Sequence, residues 1–142
     1  MLNYLLGQKV SIVSRKVQTT RFTTKGILNI ENSTNNKPDC QIIFVDTPGL
    51  FEPKKALEKH IVNNTISELN NNEHICILYD ATSNKSKFLE FSKIIKNINL
   101  NKNNSSLIIN KIDLIAKEKL LVIINNIQQI FEFKNVFMVS AK

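Results

Sequence analysis

Apolar residues along this chain follow two periods. Ile42-Ile43-Phe44-Val45, Ile75-Cys76-Ile77-Leu78-Tyr79 and Leu107-Ile108-Ile109 are short uninterrupted apolar runs bounded by polar or turn residues. Such runs predict strands, and the first reads as a strand buried on both faces. Residues 25–30 alternate weakly and suit an edge strand. The Asn- and Pro-containing stretch 31–39 reads as a turn, so residues 25–30 and 40–45 are expected to pair as an antiparallel hairpin. A short strand over residues 136–139 closes the series.

Between the strands the period changes to that of a helix. Leu57, Ile61, Ile66 and Leu69 predict a helix over residues 56–69, and Phe88, Phe91, Ile94, Ile95 and Ile98 one over residues 86–98. Leu120, Ile123, Ile124 and Ile127 predict a third over residues 118–130. Residues 2–6 read as the end of a helix stopped by Gly7, and residues 8–24 as a long loop. Strands alternating with helices predict an α/β fold, a mostly parallel, doubly wound sheet with helices on both faces. One domain is expected, without a repeat.

Composition changes this picture little. No apolar run approaches the length that crosses a bilayer. Cys40 and Cys76 lie beside or inside apolar runs and read as buried, reduced strand residues. His60 and His74 lack metal-ligand spacing and read as structural. The net charge of +7 favours polyanionic partners, though a Lys-, Asn- and Ile-rich composition produces such an excess without any function.

Chemistry enters where the predicted strands end. In α/β sheets ligands lie at the carboxyl ends of strands, and Asp46, Asn110 and Ser140 all fall just past one. Asp46-Thr47-Pro48-Gly49-Leu50 is good turn chemistry. It also suits a nucleotide switch, with Asp46 holding a Mg²⁺-bound water and the Gly49 N–H meeting a terminal phosphate. In Asn110-Lys111-Ile112-Asp113, Asp113 can accept two hydrogen bonds from the N1–H and N2–H₂ edge of guanine, which adenine cannot offer. Lys111 can lay its stem on the base, and Asn110 can tie the loop to its neighbours. The Ala141 N–H can meet guanine O6 while Ser140 braces the loop. Thr20, or else Thr19, can reach Mg²⁺ by its hydroxyl.

Residues 5–21 and Asp46-Thr47-Pro48-Gly49-Leu50 resemble the first helix and the two switch segments of the bacterial Era-type GTPases, and the resemblance runs over essentially the whole chain. It implies a three-layer P-loop GTPase, a Ras-like G domain, acting with Mg²⁺ on GTP and GDP. It also implies a cytoplasmic switch in maturation of the small ribosomal subunit and its 16S rRNA, with peripheral association at the inner membrane. Leu50 stands where Ras-like proteins carry a glutamine that orients the attacking water, so no catalytic side chain is assigned.

The 142 residues contain no G-x-x-x-x-G-K-[ST] run, and their three glycines are Gly7, Gly26 and Gly49. The resemblance therefore implies a G domain whose first strand and phosphate-binding loop are missing, and with no RNA-binding KH domain after it. The expectation is a truncated or split-gene product, and the enzyme assignment rests on the resemblance alone. The alternative is a non-catalytic chain that binds RNA through Arg15, Lys16, Arg21 and Lys25, or complements a separately encoded segment, or a pseudogene product.

Overall fold

The computed structural model describes residues 2–7, 23–30, 40–51, 53 and 55–141. The loop expected over residues 8–24, with Thr19 and Thr20, falls almost entirely outside them, as does the turn over residues 31–39. The contacts gather into two compact units.

The first unit comprises residues 1–50 and 55–65. Helix α1 (Leu2–Leu5) ends at Gly7, whose φ of +64° is the left-handed turn that glycine adopts without strain. Strands β1 (Thr24–Ile30) and β2 (Cys40–Asp46) pair antiparallel, Gly26 opposite Phe44 and Thr24 opposite Asp46. A Cβ at Gly26 would collide with the Leu6 side chain, so glycine there lets the end of α1 lie against β1. The expectation that β2 is buried on both faces fails: Ile43 is 54% exposed. Among the described residues β2 has one partner strand, so nothing in this two-stranded ladder shields both of its faces.

Helix α2 (Ala56–Asn70) begins in this unit. Leu57, one of the apolar residues at helical spacing, is 71% exposed, while Thr65 is buried and donates its hydroxyl to the Ile61 carbonyl at 3.0 Å. Leu57 lies in the first turn, and the burial of this helix falls further along it, on Thr65.

The second unit holds the parallel sheet, in order β3-β4-β5, with β3 (Ile75–Asp80), β4 (Ser105–Asn110) and β5 (Asn135–Met138). Helices α3 (Lys85–Asn97) and α4 (Lys117–Ile130) make the two crossovers. Asn84 caps α3 by accepting the Lys87 N–H at 3.0 Å. Ile75, Ile77, Tyr79, Leu107, Ile109, Ile95, Ile127 and Phe133 form the core, with Phe88, Phe91, Ile123 and Ile124 packed against it. Tyr79 meets Phe91 edge-on, ring centroids 4.9 Å apart.

Here β4, central in the sheet, is the strand buried along its length. In β3 burial alternates, and Leu78 is 50% exposed. Both cysteines are exposed rather than buried, because Cys76 shares the open face of β3 with Leu78 and Cys40 begins β2. His74 does have a structural bond, 2.9 Å between its Nε2 and the Ser106 Oγ. No helix among the described residues is long and apolar enough to cross a membrane.

Leu107 and Ile127 have no exposed surface. Leu107→Ala should cost about 2–5 kcal/mol through lost burial and a cavity, whereas Leu121→Ala, at a position 68% exposed, should stay within about 0.5 kcal/mol. Urea denaturation of the two variants checks this.

Candidate functional site

The candidate residues lie in two groups, one in each unit. In the first, Asp46 closes β2, and Thr47, Pro48, Gly49 and Leu50 follow as irregular chain. Pro48 is buried, Thr47 and Leu50 are half-buried and Gly49 is exposed. Among the described residues a Cβ at Gly49 would meet nothing within 4 Å, so their packing does not demand glycine there. Burial pushes the Asp46 carboxyl above the usual carboxylate range. A half-buried carboxylate at the carboxyl end of a strand is a fitting oxygen ligand for a hard cation such as Mg²⁺. Thr20, the other expected Mg²⁺ residue, lies outside the described residues.

The second group is held together through Asn110. In-register pairing sets Asp80, the last residue of β3, beside Asn110, the last of β4. The Asn110 carbonyl accepts the Ala81 N–H at 3.0 Å. Its side-chain Oδ1 accepts two more, from Lys111 N–H at 2.8 Å and Ala141 N–H at 3.0 Å. One side chain thus fastens the loop after β4 to the loop after β5. The Ser140 hydroxyl adds a second tie, donating to Asp113 Oδ1 at 2.6 Å. Ile112 N–H reaches the Val139 carbonyl at 3.4 Å. Asn110, Lys111, Ile112, Asp113, Ser140 and Ala141 are therefore neighbours, as their places at the strand ends led one to expect.

Lys111 carries the positive φ of this loop, 62°. A lysine in the left-handed region is uncommon and is kept there by its surroundings. Its Nζ lies 2.6 Å from Asp80 Oδ2. Asp80 Oδ1 accepts from the Thr82 N–H at 2.9 Å and the Thr82 hydroxyl at 2.7 Å. Burial alone would raise the Asp80 carboxyl, but the hydrogen bonds from Lys111 and Thr82 and the lysine's charge outweigh it and hold the group below the usual carboxylate range.

Asp80 and Thr82 were not singled out from the sequence. Asp80 could have been, since an acid ending one predicted strand and a lysine one residue past the next are neighbours if the two strands are parallel and adjacent. Nothing in the sequence states that adjacency.

Residues 1–132 match the family described as 50S ribosome-binding GTPase. Proteins named GTPase Era from Afipia carboxidovorans and Ehrlichia canis are 39% and 37% identical to it over 141 residues, and one from Ruminiclostridium cellulolyticum is 38% identical over 144. Each match covers 99% of this chain but 43–45% of the relative, so the chain spans less than half the length of these curated relatives. Two solved structures are similar. One is Era in complex with MgGDPNP and nucleotides 1506–1542 of 16S ribosomal RNA, at 36% identity and TM-score 0.76, over 99% of this chain and 45% of that one. The other is an Aquifex aeolicus Era variant bound to GDP.AlF4-, at 34% identity and TM-score 0.70, over 99% and 46%.

Because its folded carboxyl ionises below the unfolded one, Asp80 stabilises the fold at and above the ordinary carboxylate range, about pH 4, and that contribution is lost as the pH falls through the lowered value. Thermal melts at stepwise lower pH should show the wild-type chain losing more stability below about pH 4 than Asp80→Asn does.

Proposed function

This chain belongs to the 50S ribosome-binding GTPase family, and on that premise we propose that it carries the guanine-recognition and switch loops of an Era-type GTPase. The observation that supports this most is the Asn110 side chain, which accepts N–H groups from the loops after both β4 and β5. Asp113 sits in the same cluster, oriented by the Ser140 hydroxyl. A fixed carboxylate can accept both the N1–H and the N2–H₂ of guanine, and adenine has no such pair to give. In this reading the Lys111 stem covers the base plane, the Ala141 N–H meets O6, and Asn110 and Ile112 hold the loop's shape.

Asp46, Thr47, Pro48, Gly49 and Leu50 form the phosphate-sensing loop. The open space at Gly49 supports that role, since the absence of a side chain serves a ligand's approach rather than packing. Asp46 and Thr20 would hold Mg²⁺. The ion, when bound, neutralises charge on the phosphates. No residue of these 142 is assigned as a phosphate cradle or as the base that activates water. Hydrolysis of GTP is proposed for the protein as an Era-type switch.

The proposed partner is ribosomal RNA of the small subunit. The family description names the large subunit, but the relatives reported above carry the Era name and one solved neighbour holds 16S rRNA. The net charge of +7 suits a polyanion and a working place in the cytoplasm beside ribosomes.

Two variants test the loops. Asp113→Asn should weaken guanine nucleotides at least about tenfold, for loss of a hydrogen bond to a charged group, and should favour xanthine, whose 2-oxo group accepts from the new amide. Fluorescence titration with mant-labelled nucleotides measures this, and equal affinity of the wild type for GTP and ATP would overturn the reading. Gly49→Ala should melt within about 0.5 kcal/mol of the wild type, since its new methyl meets open space. It should nevertheless weaken GTP more than GDP, because only GTP brings a terminal phosphate to that N–H.

A further inference from the structure

The proposed guanine loop has a partner that its own motif does not contain. We propose that Asp80 is a positioning residue for guanine nucleotide, holding the Lys111 side chain in the pose in which its stem can cover the base. The inference rests on the guanine-site reading above and deepens it.

Lys111 is fixed at its backbone end, where the left-handed φ of 62° and the 2.8 Å bond from its N–H to Asn110 Oδ1 set the direction in which the side chain leaves. It is fixed again at its far end, where Nζ lies 2.6 Å from Asp80 Oδ2. A lysine stem has four rotatable bonds and ordinarily samples many rotamers, and pinning both ends removes most of that freedom before any ligand arrives.

Asp80 is itself oriented. Its other oxygen accepts both the N–H and the hydroxyl of Thr82, at 2.9 and 2.7 Å, so the carboxylate cannot swing away from Lys111 without breaking the turn that follows β3. The in-register pairing of Asp80 with Asn110 supplies the reach: the acid stands at the end of one strand and the lysine one residue past the end of its parallel neighbour. Asp80 thereby acts on the base through Lys111 and need not touch the ligand.

Asp80→Asn separates this role from a structural one. The amide keeps an oxygen for both Thr82 donors and nearly the same volume, while its NH₂ group replaces the charged oxygen that accepts from the ammonium. Mant-GDP and mant-GTP titrations on the full chain should show both weakened by about two- to fivefold, the scale of a partly exposed ion pair, with their ratio unchanged because the phosphate end is untouched.

Lys111→Met breaks the same pair from the other side. If Asp80 acts through Lys111, the double variant Asp80→Asn with Lys111→Met binds no more weakly than Lys111→Met alone. A purely structural Asp80 gives losses that add, and additive losses overturn the proposal. So does an Asp80→Asn chain that binds as the wild type does. A wild type that holds mant-GDP no better than mant-ADP overturns the guanine-site reading, and this proposal with it.

Discussion

Parallel pairing of β3, β4 and β5 places the candidate chemistry of the second unit on one sheet edge. Parallel strands in one sheet bring their carboxyl ends to the same side, so Asp80, Asn110 and the Ser140 segment converge although about 60 residues separate the first from the last. Burial enforces the register. Leu107 and Ile109 on β4 and Ile77 and Tyr79 on β3 share one core, and a one-residue slip of either strand would turn its apolar set toward the open face.

Once the strand ends are fixed, Asn110 needs little more to organise the loops. Its amide oxygen accepts two backbone N–H groups that belong to neither helix nor sheet, and its carbonyl accepts a third. These groups would otherwise lack a partner at the end of a sheet, where an unmet backbone donor costs about 1–3 kcal/mol if shielded from water. Asn has the reach and the acceptor for this, and Asp80 and Ser140 tie down the two charged side chains of the same loop. The cluster is thus held by the chain's own hydrogen bonds and ion pair.

The two groups of candidate residues, one in each unit, differ in physical character. The loops of the second unit are cross-braced by side-chain bonds, whereas Thr47, Pro48, Gly49 and Leu50 leave β2 as irregular chain with open space around Gly49. A base-binding loop gains from rigidity because its ligand edge never changes. A loop that reports the presence of one phosphate has to have two arrangements of similar energy.

Much of this was legible in the residues themselves. Among the described residues, the apolar runs and the helical spacing located the strands and the three longer helices to within a residue or two, because period and turn chemistry are local properties. Asp-Thr-Pro-Gly and Asn-Lys-Ile-Asp were legible as site candidates for the same reason, since each carries its chemistry within four residues. Which strand is buried on both faces was not legible: Ile42-Ile43-Phe44-Val45 looks more buried than Ser105-Ser106-Leu107, yet Ile43 is half exposed and both serines are buried. Burial depends on how many neighbours a strand acquires, and that is settled by sheet order. The same holds for Cys76, whose face follows from the sheet, and for Asp80, which became part of the site only when β3 and β4 paired in register. Local pattern in the residues defined the elements and the groups proposed to meet a guanine nucleotide. Tertiary structure alone decided which of those groups meet, because an ion pair such as Asp80–Lys111 joins residues whose separation along the chain carries no information about their distance in space.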